Sequence, residues 1–295
     1  MNLSTLKTIA LTCLALIAFA ANSVLCRLAL DREQLDASSF TILRLLSGIV
    51  MLVLISTVSS TSKSSTKKNW ISSLALFIYA VAFSYAYISL DAGIGALVLS
   101  GTVQITMILA SLIAGNKLHF LEWAGAAIAF SGFVYLFKPS LTTPSSTGFL
   151  VMIIAGVAWG IYTLRGRGAK HPIGDSRVNF LGTLPLILAL LIVEFRNSNL
   201  TQAGIILALL SGAIASGCGY VVWYMAVRRL STIQASVVQL LVPIIAALGG
   251  VLFAQEVISR RLIISSITIL GGIAFVLWGQ YLSADTGSTN SIFSD

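Results

Sequence analysis

The chain has 295 residues, of which 57% are hydrophobic and only 9% are charged. Soluble domains carry roughly 25% charged residues, so this composition excludes a soluble globular protein and indicates one that lies within a membrane. The net charge of +8 does not require a nucleic-acid partner, because basic residues in the loops of a membrane protein produce the same balance.

Ten apolar stretches of membrane-spanning length follow one another along the chain. About 20 apolar residues cross the hydrocarbon core as a helix, and helices satisfy their own backbone groups in lipid. The short alternating segments of a transmembrane β-barrel are missing from the sequence. The predicted spans are roughly 8–29, 40–58, 70–90, 94–114, 120–137, 148–164, 178–193, 203–227, 233–253 and 262–282.

The first span also resembles a signal peptide, because Lys7 precedes an apolar run that ends in small residues at 18–20. Comparison with the second half of the chain argues against cleavage. Residues 20–27 align with residues 158–165, arginine matching arginine. We therefore expect the first span to be retained.

The second half of the chain repeats the first. Residues 85–137 align without a gap with residues 224–276, at a constant offset of 139. A repeat of five spans is odd in number, so its second copy must enter the membrane in the opposite orientation, as in many secondary transporters. The sequence predicts an all-α bundle of ten transmembrane helices arranged as two inverted five-helix repeats.

We expect the first repeat over residues 1–138 and the second over residues 148–283. Residues 139–147, rich in Pro, Ser and Thr, form the predicted connecting loop, and residues 284–295 form a polar tail without regular structure. The connections are short, so no soluble catalytic or nucleotide-binding domain is expected.

The distribution of basic residues predicts that both termini are cytoplasmic. With the amino terminus inside, eleven Lys and Arg residues fall on the inner side and seven on the outer side, in agreement with the positive-inside rule. The adjacent Arg260 and Arg261 lie in an outer connection and argue against this orientation. We expect an integral protein of the cell inner membrane that acts as a monomer, with a dimer as the alternative.

Charge inside a membrane is costly and usually indicates function, but the middle of every predicted span lacks Asp, Glu, Lys and His. Arg27 and Arg44 lie near predicted outer ends of their spans. We expect these side chains to extend to the lipid headgroups in preference to contacting a substrate. Without a central carboxylate, the simplest transporter is one driven by the gradient of a neutral or zwitterionic solute.

Uncharged polar side chains give the next indication of a site. Asn22, Gln104 and Gln239 lie deep in the first, fourth and ninth spans. In the repeat register Ser100 matches Gln239 and Gln104 matches Pro243, so the two segments would face each other across a pseudo-two-fold axis. Hydrogen bonds that only hold helices together are the alternative. We favour convergence on one central cavity.

Aromatic side chains are expected to form the wall of that cavity. A spacing of four places Tyr79, Phe83 and Tyr87 on one face of the third span. Tyr87, Tyr224 and Trp70 fall near span ends, where anchoring at the membrane interface is the preferred interpretation. A site lined by rings and amides suits a flat, amphipathic solute. The predicted substrate-binding residues are Asn22, Tyr79, Phe83, Gln104, Trp159, Tyr162, Tyr220, Trp223 and Gln239.

Two prolines, Pro185 and Pro243, lie well inside predicted spans, where proline interrupts the helical hydrogen bonds. Each position is consistent with a static kink or with a hinge that lets one half of the bundle rock.

The sequence gives no support for catalysis. It contains no glycine-rich phosphate loop with a lysine, no G-x-S-x-G or H-E-x-x-H motif, and no paired carboxylates within a span. His119 and His171 lie at span edges, while Cys13, Cys26 and Cys218 lie within spans and lack metal-site spacing. We therefore predict that the protein is not an enzyme and uses no cofactor or metal.

Several motifs resemble those of a known family. They are residues 20–23 ahead of Arg27, residues 158–160, and residues 235–243 followed by Gln255, Glu256 and Gly271. With the two five-span halves, they resemble the ten-span EamA-type branch of the drug/metabolite transporter superfamily, and within it the aromatic amino acid exporters (YddG-like). Gln104 and Lys117 stand where that family has Pro and Glu, so strict symmetry of the halves is not expected.

The resemblance implies export or exchange of small metabolites by alternating access, above all amino acids including aromatic ones, from a site at the centre of the bundle. The expected partners are this small-molecule substrate and the lipid bilayer. Export of cationic or amphipathic drugs is a second hypothesis, disfavoured by the missing central carboxylate. An intramembrane enzyme or lipid-handling protein is a third, although its polar groups should converge at one membrane interface.

Overall fold

The protein is described by a computed structural model. The described residues are 3–30, 34–58, 70–115, 120–137, 145–166, 171–194, 200–227, 229–230 and 238–290. The helices are α1 Leu3–Leu30, α2 Ala37–Val58, α3 Trp70–Tyr87, α4 Ala92–Ile113, α5 Phe120–Phe137, α6 Ser146–Gly166, α7 Pro172–Leu181, α8 Leu184–Glu194, α9 Gln202–Leu210, α10 Gly219–Val227, α11 Val242–Ala254 and α12 Arg260–Asn290. A π-helix, Ser211–Cys218, joins α9 to α10.

These helices form the predicted ten-helix membrane bundle. Within the described residues, eight helical segments are long and apolar enough to cross a membrane, with α7 and α8 together making one and α9 to α10 making another. Two shorter apolar segments lie in α5 and α11. The only β-structure among the described residues is an isolated bridge between Leu35 and Leu200. The all-α prediction is therefore confirmed.

Equivalent helices of the two halves pack against each other in opposite directions. In the α5–α12 pair, a Cβ atom built on Gly125 would lie 2.5 Å from the Gly272 oxygen, and one built on Gly132 would lie 2.7 Å from Cγ1 of Ile269. Later residues of α5 therefore contact earlier residues of α12. This antiparallel course is what an inverted repeat requires.

The α4–α11 pair shows the same course. A Cβ atom on Gly93 would lie 2.6 Å from the Ala247 methyl group, and one on Gly250 would lie 3.3 Å from the Ala92 methyl group. Glycine at these positions lets the two helices approach more closely than side chains would allow, which is how helices in lipid gain packing contacts.

The seventh span differs from the single helix predicted over 178–193. It begins at Pro172 and is divided, with α7 ending at Leu181 and α8 beginning at Leu184. Pro185 lies in the first turn of α8, where its missing N–H breaks no helical hydrogen bond.

The ninth span is interrupted in the same way. Residues 240–241 form a turn, and Pro243 is the second residue of α11. Both prolines therefore follow a helix break instead of kinking a continuous helix. Their role as hinges stays a prediction.

The end of the chain also departs from expectation. The last helix continues to Asn290, past the predicted end of the second repeat at residue 283. The rest of the predicted tail, residues 291–295, lies outside the described residues, as do residues 139–144 of the predicted connecting loop. The last two residues of that loop, Ser146 and Thr147, already belong to α6.

Adjacent glycines on α12 allow a matched test of the close α5–α12 contact. A Cβ atom on Gly272 would lie 2.6 Å from the Gly125 oxygen, whereas one on Gly271 meets nothing within 4 Å. We expect Gly272→Ala to destabilise the protein by about 1–3 kcal/mol through overpacking. Gly271→Ala should be neutral or slightly stabilising, because alanine favours helix. Thermal unfolding of the two variants in detergent measures the difference, and equal midpoints would contradict the close contact.

Candidate functional site

Aromatic rings from five helices form one connected group, which we call the ring cluster. The centroid of Tyr79 in α3 lies 4.7 Å from that of Trp159 in α6, and Trp159 stacks on Tyr220 of α10 at 5.3 Å. Ring pairs at these distances are worth about 0.5–1.5 kcal/mol beyond the area that they bury. The ring cluster consists of Phe19, Tyr79, Phe83, Tyr87, Trp159, Tyr162, Phe180, Tyr220 and Trp223.

The ring cluster joins the two halves of the chain. Phe19 and Tyr79 come from α1 and α3 of the first half, and Trp159 and Tyr220 come from α6 and α10 of the second. Tyr79 and Tyr220 are buried in the bundle. Movement of one half against the other would therefore change the distances between these rings.

Six of the predicted substrate-binding residues meet in the ring cluster, and their role in binding stays a prediction. Phe19 and Phe180 were missed by the sequence prediction, although they contact Tyr220 with centroids 6.0 Å away. Each is the only aromatic residue of its helix, so no helical spacing of rings marks it. The six predicted residues are Tyr79, Phe83, Trp159, Tyr162, Tyr220 and Trp223.

The interpretation of Tyr87 as an interface anchor is wrong. Its side chain is fully buried, its ring lies 4.7 Å from that of Phe83, and its hydroxyl donates to the Ala92 oxygen at 3.3 Å. The end of α3 is covered by the start of α4, which is why a tyrosine at a span end is not at the surface. Trp70 is 53% exposed, as expected of an anchor, and the side chain of Tyr224 lies outside the described structure.

Asn22 is held by the π-helix. The Ser211 hydroxyl donates to Oδ1 of Asn22 at 2.6 Å, which is the kind of interhelical hydrogen bond that the alternative interpretation expected. Ser216, five residues further along, accepts a hydrogen bond from Nε of Arg44 at 3.3 Å. Because a π-helix pairs residues i and i+5, it presents both serines to the interior on the same side.

Gln104 and Gln239 do not belong to the ring cluster. Gln104 is 9% exposed in α4, and Gln239 is half-buried just before the turn at residues 240–241. A shared role in one cavity with the rings stays a prediction.

The prediction that Arg44 extends to the headgroups is wrong. The residue is only 2% exposed, because α2 begins at Ala37 and carries Arg44 two turns into the bundle. Its Nη2 donates to the Tyr79 hydroxyl at 3.2 Å, and its Cζ lies 4.8 Å from the centroid of Phe83. Arg44 is therefore part of the site, where cations over ring faces are attracted to them.

A signal for the true position of Arg44 was present in the sequence. Thr41, Ser47 and Gly48 lie three or four residues away and so share its helix face. A face made of small residues is typical of a helix–helix contact in lipid. Gly48 and Gly212 indeed meet there, since a Cβ atom on Gly48 would lie 3.3 Å from the Gly212 oxygen.

Arg27 forms an ion pair at one end of the bundle, and its extension to the headgroups stays a prediction. Nε of Arg27 lies 3.2 Å from Oε1 of Glu256, and Nη1 donates to the Tyr87 oxygen at 3.2 Å. Asp91 is a more distant partner, with its Oδ1 3.8 Å from Nη2 of Arg27. The ion pair joins the end of α1 to the connection between α11 and α12.

Glu256 is positioned by the end of α11 and in turn caps α4. Gln255 adopts a left-handed conformation with φ of 56°, and the Glu256 N–H donates to the Gly250 oxygen at 3.1 Å. Both Glu256 carboxylate oxygens accept from the Ala92 N–H, at 3.0 and 2.9 Å. A carboxylate at a helix N-terminus is stabilised by the unpaired N–H groups and the helix dipole.

Burial raises the pKa of Glu256 above the ordinary glutamate value. The Ala92 N–H opposes this rise, the charge of Asp91 adds to it, and Arg27 opposes it. A raised pKa means that the folded protein binds the Glu256 proton more tightly than the unfolded chain does. Protonated Glu256 therefore contributes its full stabilisation of the folded state at pH values below the ordinary glutamate pKa. This stabilisation is lost as the pH rises through the pKa that Glu256 has in the folded protein.

The titration can be measured against Glu256→Gln, which keeps the size of the side chain and does not titrate. The quantity to follow is the thermal midpoint of the native protein minus the midpoint of Glu256→Gln. We expect this difference to fall by a few degrees as the pH rises above the ordinary pKa of glutamate. Thermal unfolding across a pH series gives the difference. A difference that increases with pH would mean that the ion pair with Arg27 outweighs burial.

The chain is similar to known transporters. Residues 6–138 and 146–278 each match the EamA-like transporter family. An uncharacterized protein of Pseudomonas aeruginosa is 45% identical over 271 residues, which cover 92% of this chain and 94% of that protein. A "Probable amino-acid metabolite efflux pump" of Salmonella typhimurium is 24% identical over 217 residues, 68% of this chain and 72% of that protein.

The fold is also known from experiment. A solved crystal structure superimposes with a TM-score of 0.66 and 19% sequence identity, covering 92% of this chain and 98% of the other. The resemblance to the EamA-type family, and the prediction that the protein is not an enzyme, are confirmed, while the aromatic amino acid exporter branch stays a prediction. The chain belongs to the EamA-like transporter family and is an integral membrane transporter of small molecules.

Proposed function

We propose that the protein exports or exchanges amino acids, including aromatic ones, by alternating access. The ring cluster carries this proposal, because it offers stacking faces from both halves of the bundle at one place. The name of the Salmonella typhimurium relative, an amino-acid metabolite efflux pump, supports the same substrate class.

The chemistry around the rings suits an amphipathic solute. Tyr79 and Tyr220 bring hydroxyl groups beside ring faces, while Arg44 and Asn22 bring a cation and an amide to the same interior. A substrate ring gains stacking contacts there, and its polar end gains hydrogen bonds. Lipid-like solutes would leave these polar groups unpaired, at a cost.

Alternating access needs an end that closes and elements that move. The pair between Arg27 and Glu256 ties three connections together at one end of the bundle. In the predicted orientation, with both termini cytoplasmic in the cell inner membrane, this end faces outward. The helix breaks before Pro185 and Pro243 are the proposed hinges. The unit is taken to be a monomer in the bilayer.

Counterflow in liposomes tests the substrate class. Vesicles that contain the purified protein and unlabelled Phe should accumulate external labelled Phe several-fold faster than empty vesicles. A cationic dye added outside should not compete. If Phe, Met and Thr move no faster than in empty vesicles, the amino-acid assignment is wrong. Transport of the dye would instead favour the drug-export alternative.

Two tryptophan variants test the ring cluster. Trp159→Leu removes ring contacts worth about 0.5–1.5 kcal/mol each, so we expect the concentration of Phe for half-maximal counterflow to rise roughly tenfold. Trp123→Leu makes the same change on α5 at a side chain that is 57% exposed, and it should leave counterflow unchanged. Equal effects of the two variants would argue against substrate stacking at Trp159.

A further inference from the structure

Arg44 carries a buried positive charge that the described residues do not neutralise. We propose that this guanidinium binds the carboxylate of the transported solute, so that the site selects solutes bearing a carboxylate close to a ring or bulky apolar group. This inference rests on the proposed function and names the charge that the site recognises. It is based on the hydrogen-bond partners of Arg44 and on the lack of an anionic partner for it among the described residues.

The partners of Arg44 are all neutral. Nε donates to the Ser216 hydroxyl and Nη2 to the Tyr79 hydroxyl. Among the residues that the structure describes, Nη1 is buried without a hydrogen-bond partner, and the ion pairs formed there involve Arg27 and not Arg44. An arginine that is 2% exposed and lacks an anion is costly in a membrane protein, which makes a functional role the default explanation.

The free donors of Arg44 match a carboxylate. Nη1 keeps both of its N–H groups, and Nη2 keeps the one that does not reach Tyr79. One N–H from each nitrogen forms the two-pronged arrangement that binds both oxygens of a carboxylate. Ring faces cannot replace this interaction. The rings of Tyr79 and Phe83 attract the positive charge of the guanidinium, but a ring face does not accept the hydrogen bonds that the N–H groups donate in the plane of the guanidinium.

The surroundings of Arg44 decide which other part of the solute is bound. The ring centroid of Tyr79 lies 4.7 Å from that of Trp159. A solute whose carboxylate pairs with Arg44 therefore has stacking partners within a few ångströms. The buried positive charge of Arg44 repels cationic solutes that lack a carboxylate, so the proposed site selects for the carboxylate of the solute and not for its amine.

Competition against labelled Phe in the counterflow assay tests the inference. We expect 3-phenylpropionate, which has the carboxylate but no amine, to compete within a few-fold of Phe. Phenylalaninamide, which has the amine but no carboxylate, should compete at least tenfold more weakly. The reverse order would overturn the proposal.

Variants of Arg44 identify the group responsible. Arg44→Gln should abolish the preference for 3-phenylpropionate over phenylalaninamide, and Arg44→Lys should retain part of it. Arg261→Gln is the matched control, since that arginine lies at the start of α12 beside Tyr135, and it should keep the preference unchanged. Retention of the full preference in Arg44→Gln would overturn the assignment.

Thermal unfolding separates this inference from the proposed function. In the native protein 3-phenylpropionate should raise the midpoint of unfolding, and in Arg44→Met it should not, whether or not Phe is transported. Without ligand, Arg44→Met should unfold at the same temperature as the native protein or higher, because it removes an unneutralised buried charge. A lower midpoint, or no stabilisation of the native protein by any carboxylate, would mean that Arg44 is structural.

Discussion

Close backbone contact between helices is the constraint on which this bundle depends, because lipid tails are as apolar as the helix surfaces and provide no hydrophobic force between them. Glycine supplies that contact. Gly156 and Gly160 set α6 against Thr102 and Thr106 of α4. Trp159 lies between these two glycines in sequence but on another face, toward Tyr79 and Tyr220. The packing of one helix face thus determines where the other face presents its ring.

The polar interior follows from the same frame. A buried polar group needs a hydrogen-bond partner, which can be another protein group, a water molecule or a ligand. The π-helix provides partners for two such groups at once, through Ser211 and Ser216. It also brings Gly212 against the backbone of Arg44. One local change in helix geometry therefore supports both a close interhelical approach and the polar part of the candidate site.

The overall fold could be predicted because bilayer thickness sets helix length directly. The repeat in sequence likewise predicted that the two halves run in opposite directions, and the equivalent helices α5 and α12 do so where they pack together. Helical spacing found the rings of Tyr79 and Phe83, since i and i+4 share a face. The sequence did not predict that Phe19 and Phe180 join the rings or that Arg44 is buried. These features depend on which helices pack against each other. Hydropathy does not encode the π-helix or the breaks before the prolines either, because it measures how apolar a segment is and not how its backbone hydrogen bonds are paired.

An inverted repeat has a particular energetic property. If each half took the conformation of the other, a perfectly symmetric molecule would open to the opposite side of the membrane at the same free energy. In this chain the exchange is not neutral, because the eighth span contains the π-helix Ser211–Cys218 while its counterpart α3 is α-helical from Trp70 to Tyr87. In the alternating-access cycle proposed for this chain, the two access states therefore differ in free energy. Such a transporter has a preferred resting side even when the solute concentration is equal on both sides of the membrane.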